Sequence, residues 1–124
     1  MKELRSKRIL VVEDEWLLAD SLAIGFHELG LVVLGPVADT AASARLIESE
    51  HPDAAILDVH LAGDETSLDI ARELVKRRIP FAFLTGYSHE TLPREFEKVP
   101  VIMKPAPFDE ISSVMSLLFE QPAS

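Results

Sequence analysis

The hydrophobic pattern of the chain changes period several times, always in the same order. Ile9-Leu10-Val11-Val12 is a short β-branched run that reads as a strand, broken by Glu13-Asp14-Glu15. From Trp16 to Leu29 the stripe Leu18, Leu22, Gly25 and Leu29 has helical spacing, and Gly30 stands where a C-terminal cap glycine is wanted. Leu31-Val32-Val33-Leu34 reads as a second strand, ended by Gly35-Pro36. Asp39 can cap a helix that holds Leu46 and Ile47 and stops before His51-Pro52. Ala54-Ala55-Ile56-Leu57 is a third apolar run, closed by Asp58.

After a loop through Gly63, a third helix is expected from about Glu65 to Arg77. Asp64, Glu65 and Asp69 lie at its start and Lys76, Arg77 and Arg78 at its end, as the macrodipole favours. Phe81 to Leu84 and Val99 to Met103 read as strands four and five. Pro107 opens a last helix through Ile111, Val114, Met115 and Leu118, a spacing that suits core packing. Strands so uniformly apolar are covered on both faces, which implies a parallel sheet flanked by helices. With right-handed crossovers the expected fold is a doubly wound α/β sandwich, five strands in the flavodoxin-like order 2-1-3-4-5.

Composition narrows the function classes. The 124 residues carry 12 basic and 21 acidic side chains, a formal charge of −9. That balance disfavours phosphate-driven binding to nucleic acid and docking on anionic lipid. Cysteine is absent, which excludes disulfides, thiolate metal sites and cysteine nucleophiles. No apolar run reaches membrane length, and Met1 to Arg8 is charged without the apolar stretch of a signal peptide, so neither a span nor a leader is expected. A cytoplasmic protein is expected, one domain over 1–124 with a core from about 8 to 119 and no output domain.

Ligands of parallel α/β sheets collect at the carboxyl ends of the strands. Strand one is followed by Glu13, Asp14 and Glu15, strand three by Asp58, strand four by Thr85-Gly86 and strand five by Lys104-Pro105. In the expected order these four ends are neighbours. Crowded carboxylates want a cation, and an all-oxygen set suits Mg²⁺. A carboxylate beside it can act as nucleophile toward a phosphoryl group, with a lysine and a hydroxyl on the transferred oxygens. Singly, the triplet could be a solvated helix start, and Asp58, Thr85 or Lys104 an ordinary strand-end residue. Only the constellation is specific.

The chain resembles the receiver domains of response regulators, the phosphoacceptor half of two-component signalling, over nearly everything from Arg8 to Phe119. The resemblance is carried by Ile9 to Glu15, Ile56 to Leu61, Phe83-Leu84-Thr85-Gly86-Tyr87 and Met103-Lys104-Pro105. It implies that Asp58 is phosphorylated and that Glu13, Asp14, Asp58 and the His60 backbone carbonyl hold Mg²⁺. It also implies that Thr85 and Lys104 contact the phosphoryl oxygens. The donor would be a sensor histidine kinase or phosphotransfer protein and the output a contact with a further protein, from a monomer or weak dimer. Such a protein is not an enzyme beyond its own phosphotransfer and dephosphorylation. Thr85-Gly86-Tyr87 is similar to a subgroup nicknamed "FAT GUY", frequent in alphaproteobacteria as standalone regulators.

The sequence departs from the family in places. Val101 replaces the usual aromatic three positions before the lysine, so transmission must run through Thr85, the loop after it or Tyr87. The stretch between Thr85 and Lys104 is short and holds Pro93 and Pro100, which predicts one or two helical turns near 93–98 after a mobile loop. Trp16 should lie near the metal, or else shield the sheet edge. His60 should overhang the site and with Tyr87 set the lifetime of the phosphoryl group. His27, His51 and His89 lack ligand spacing and should be surface residues.

Other readings face specific obstacles. A haloacid-dehalogenase-like phosphatase needs an aspartate where this chain has His60, and a flavodoxin needs a phosphate loop that Glu13-Asp14-Glu15 would repel. A pseudo-receiver that binds partners unphosphorylated would not need the complete acid, threonine and lysine set.

Overall fold

The computed structural model describes residues 4–86 and 92–120. Five parallel strands form one sheet in the order β2-β1-β3-β4-β5. The strands are β1 (Arg8–Val12), β2 (Val32–Val37), β3 (Ala54–Asp58), β4 (Phe81–Thr85) and β5 (Val101–Met103). The α-helices are α1 (Trp16–Glu28), α2 (Thr40–Glu50), α3 (Leu68–Lys76) and α4 (Phe108–Phe119). The expected doubly wound order is the one observed.

The pleat divides the core in two. Ile9 and Val11 join Leu22 and Phe26 of α1 and Ile111 and Met115 of α4, whereas Leu10 and Val12 join Ile47 of α2 and Ile70 and Leu74 of α3. Every residue of β3 and β4 is buried, as strands covered on both faces must be. Exposed apolar side chains in the sheet are confined to the edge strands, at Val32, Val101 and Met103. Among the described residues no helix is long and apolar enough to cross a membrane.

Several boundaries differ from expectation, each for a local reason. Gly30 follows α1 with φ +90°, as a terminating glycine should, and the Asp39 carboxylate caps α2 by accepting from Ala42 N at 2.8 Å. Strand β2, however, does not end at Gly35-Pro36. It passes through them with a bulge, pairing Leu34 with Leu10 but Val37 with Val12. A proline is tolerated there because β2 is an edge strand. The bulge lets Val37 O accept from Glu13 N at 2.9 Å, which fixes the start of the acidic loop.

Helix α3 begins at Leu68 rather than near Glu65. Residues 60–67 instead form a turn, with a His60–Thr66 bridge and hydrogen bonds from Leu61 N to Glu65 O and from Ser67 N to Val59 O, both 3.0 Å. The Glu65 carboxylate accepts from Thr40 N, so it serves the start of α2. The short helix expected near 93–98 is a single 3₁₀ turn, Arg94–Phe96. Val99 donates back to Phe96 O and closes that turn, which delays β5 to Val101. Phe96 packs edge-on against Phe81 and Phe83, and Arg72 holds Glu95 and Asp69 with its guanidinium over the Phe96 ring. The mobile loop expected before this turn, with Tyr87 and His89, falls mainly on residues outside the described ones.

Helix α4 is keyed to α1 by Phe108. Its ring stacks edge-on to Phe26 with centroids 5.1 Å apart, and a Cβ on Gly25 would lie 2.6 Å from it. Any larger residue at this position would require the Phe108 ring to shift.

Gly35 has φ +92°, and a Cβ there would meet Val37 N at 2.8 Å and Val11 O at 3.1 Å, both backbone. Gly63 also has positive φ, with nothing within 4 Å. Chemical denaturation should therefore show Gly35→Ala losing about 2–3 kcal/mol and Gly63→Ala only about 1 kcal/mol. Equal losses would show that the close backbone contacts at Gly35 do not matter.

Candidate functional site

The four strands β1, β3, β4 and β5 are consecutive in the sheet, so their carboxyl ends meet along one edge. Glu13 and Asp14 follow β1, Asp58 ends β3, Thr85 ends β4 and Lys104 follows β5. Glu13, Asp58 and Thr85 are buried although polar, and Asp14 and Lys104 are half-buried. Thr85 O accepts from Lys104 N at 2.7 Å, extending the β4–β5 ladder to the lysine.

Lys104 ties the acids together. Its Nζ lies 3.1 Å from Asp58 Oδ2, 3.1 Å from Glu13 Oε1 and 3.1 Å from Glu15 Oε1. Glu13 Oε2 accepts from Glu15 N at 3.0 Å. Its Oε1, although near the ammonium, is buried and accepts no well-aligned hydrogen bond. Glu13, Asp14 and Asp58 each offer an oxygen, all within 4.8 Å of one another. An all-oxygen donor set with a poorly satisfied buried oxygen fits a hard divalent cation such as Mg²⁺. The His60 side chain is exposed and lines a cavity of about 480 Å³ with Asp14, Glu15, Asp58, Leu61, Gly86 and Lys104.

Protonation follows this crowding. Burial pushes Glu13 up to about 7, against the lowering effect of the Glu15 backbone N–H and with the help of Asp58. Burial also raises Asp58, opposed by hydrogen bonding to Glu13 and by the Lys104 charge. For Lys104 burial acts downward, but its hydrogen bonds and charge pairing with Glu13, together with Glu15 and Asp58, outweigh it and raise the group. The ammonium stays charged.

The five expected site residues with side-chain roles, Glu13, Asp14, Asp58, Thr85 and Lys104, lie at adjacent strand ends. The sequence marks Glu15 only as a member of the acidic triplet, yet its carboxylate reaches Lys104. Trp16 lies beside both the acids and the edge strand β2. It is 74% exposed and lines a second cavity with Glu13, Asp14, Asp20 and Pro36. His27 and His51 are exposed, as expected.

A sheet of this order with acids, a threonine and a lysine at its strand ends has relatives among known proteins. No family model matches the chain. The solution structure of SdrG from Sphingomonas melonis Fr1 matches with TM-score 0.79 and 37% identity, over 95% of this chain and 98% of that one. The BeF3-activated conformation of SdrG matches with TM-score 0.75. The phyllosphere-induced regulator PhyR of Methylorubrum extorquens is 36% identical over 121 residues, 93% of this chain and 45% of that protein. The receiver domain of the sensor histidine kinase PA1611 from Pseudomonas aeruginosa, solved with a magnesium ion in its active-site cleft, shares the fold at TM-score 0.77 and 21% identity, over 94% of this chain and 99% of that one. The chain belongs to the response-regulator receiver domains of two-component signalling. It spans about half the length of the curated relatives it matches.

Two measurements test the site. In metal-free protein Glu13 binds its proton more tightly folded than unfolded, and Asp58 shifts in the same direction. The folded state then holds more protons between the ordinary glutamate value of 4.5 and about 7, so stability falls as pH rises through that window. Denaturation in chelator across it should show this fall, and Glu13→Gln should flatten it. Second, Mg²⁺ should change Trp16 fluorescence, and Asp14→Ala should abolish the change. A silent, folded wild type would count against the metal.

Proposed function

We propose that this chain accepts a phosphoryl group on Asp58 from the phosphohistidine of a sensor kinase or phosphotransfer protein. The observation that carries the reading is the Lys104 ammonium 3.1 Å from Asp58 Oδ2, inside a cluster of three carboxylates that can share a cation. In the transfer, the N–P bond of the donor histidine breaks as an Asp58 carboxylate O–P bond forms. The imidazole leaves with the electron pair of the broken bond. Glu13, Asp14 and Asp58 would hold Mg²⁺, with the His60 carbonyl as a further ligand. When bound, the ion neutralises carboxylate and phosphoryl charge.

The chain's own groups supply the rest. Lys104 places a fixed positive charge beside the attacking carboxylate and follows the phosphoryl oxygens as they arrive. Thr85, buried next to the site, offers its hydroxyl to another of these oxygens. His60 lines the cavity through which water reaches the acyl phosphate. Hydrolysis breaks the O–P bond, releases phosphate and restores the Asp58 carboxylate, so the chain turns over its own modification and is not otherwise an enzyme.

Transmission without an aromatic at Val101 runs through Thr85 and the chain after Gly86, shifting the population of a surface that a protein partner reads. A cytoplasmic regulator acting by protein contact, in the manner of the "FAT GUY" subgroup, is the role this supports.

Incubation with Mg²⁺ and acetyl phosphate, followed by intact-mass measurement, should add one phosphoryl group to wild type and none to Asp58→Ala. A labelled Asp58→Ala, or a folded, metal-binding wild type that stays unlabelled, would sink the reading.

A further inference from the structure

Lys104 has three N–H bonds to give, and its ammonium already donates to Asp58 Oδ2 and Glu15 Oε1 at 3.1 Å and to Glu13 Oε2 at 3.4 Å. A phosphoryl oxygen can therefore engage the ammonium only by displacing one of them. The three are not equally displaceable. The side chains of Glu13 and Asp58 are 1% and 7% exposed, so either would be left as a buried charge without its partner. The Glu15 side chain is 63% exposed, and water takes the place of the ammonium at little cost. Glu15 also stays at the cavity mouth when its carboxylate swings away, because its backbone N–H is bound to Glu13 Oε2. In the cap position just before α1 it makes no side-chain capping bond, so its carboxylate has no competing task there.

We propose that Glu15 is a positioning residue for Lys104. It holds the ammonium at the mouth of the cavity in the unmodified protein and is the partner Lys104 releases to an incoming phosphoryl oxygen. The inference rests on the phosphoacceptor reading above. Glu15 thus competes with the phosphoryl group, and removing its contact tightens phosphoryl binding.

The probe is beryllofluoride with saturating Mg²⁺, titrated by ¹⁹F NMR into wild type, Glu15→Gln and Glu15→Asp. Glu15→Gln removes the charge and nearly keeps the shape. Glu15→Asp keeps the charge but is one methylene too short, and an aspartate at this position is drawn toward capping α1. Both variants should bind beryllofluoride roughly three-fold more tightly than wild type, the scale of one exposed ion pair. The Mg²⁺ affinity of Glu15→Asp, read by Trp16 fluorescence, should stay at the wild-type value.

Tighter binding in Glu15→Gln alone would trace the effect to charge at the cavity mouth and overturn the contact with Lys104. Unchanged or weaker binding in both variants would overturn the competition. A wild type that binds Mg²⁺ but no beryllofluoride would instead bring down the phosphoacceptor reading, and this inference with it.

Discussion

A single ammonium makes the carboxyl edge of this sheet possible. Glu13, Asp14 and Asp58 bring oxygens within 4.8 Å of one another, and two of these residues are buried. Unit charges about 4 Å apart repel by about 1 kcal/mol in water and by about 4 kcal/mol near a protein surface. Lys104 offsets that repulsion because β5 delivers it to the same edge, one residue beyond the strand. Its contacts with Glu13 and Asp58 differ in kind from its contact with Glu15. Breaking a buried pair by removing one partner typically costs about 3–5 kcal/mol, whereas an exposed pair is worth about 0.2–1 kcal/mol. The lysine is therefore firmly held on its buried side and loosely on its solvent side, which suits a group that must exchange one acceptor for another.

Why the fold could be read from the chain is a matter of periodicity. Val11-Val12 and Ala82-Phe83 lie in runs apolar at every position, and only burial on both faces rewards that. Once the sheet is parallel, every strand points its carboxyl end the same way, so Asp58, Thr85 and Lys104 are placed by topology rather than by neighbours in sequence. That is why residues as far apart as Glu13 and Lys104 could be assigned to one site.

What stayed hidden depended on backbone paths and side-chain reach. Glu65 has the composition of a helix start, yet its carboxylate is taken by Thr40 N and the chain before Ser67 turns back on Val59. Gly35-Pro36 has the composition of a strand end, yet an edge strand can carry a proline through a bulge. Glu15 sits on an exposed loop, where no pattern of burial betrays a side chain that folds back to meet a lysine from another strand. Local rules fail there because partners distant in sequence decide the outcome.

The contact between Phe108 and Gly25 gives the edge a second kind of closure. Phe108 follows Lys104 by a few residues, and α1 begins immediately after Glu15, so the acidic loop and the lysine loop each run into one of two helices keyed together by a ring. The gap between these loops is thus spanned twice, once by charge and once by hydrocarbon. The two spans differ in kind: the ionic one yields to protonation or to a competing ion, whereas the hydrocarbon one answers to neither.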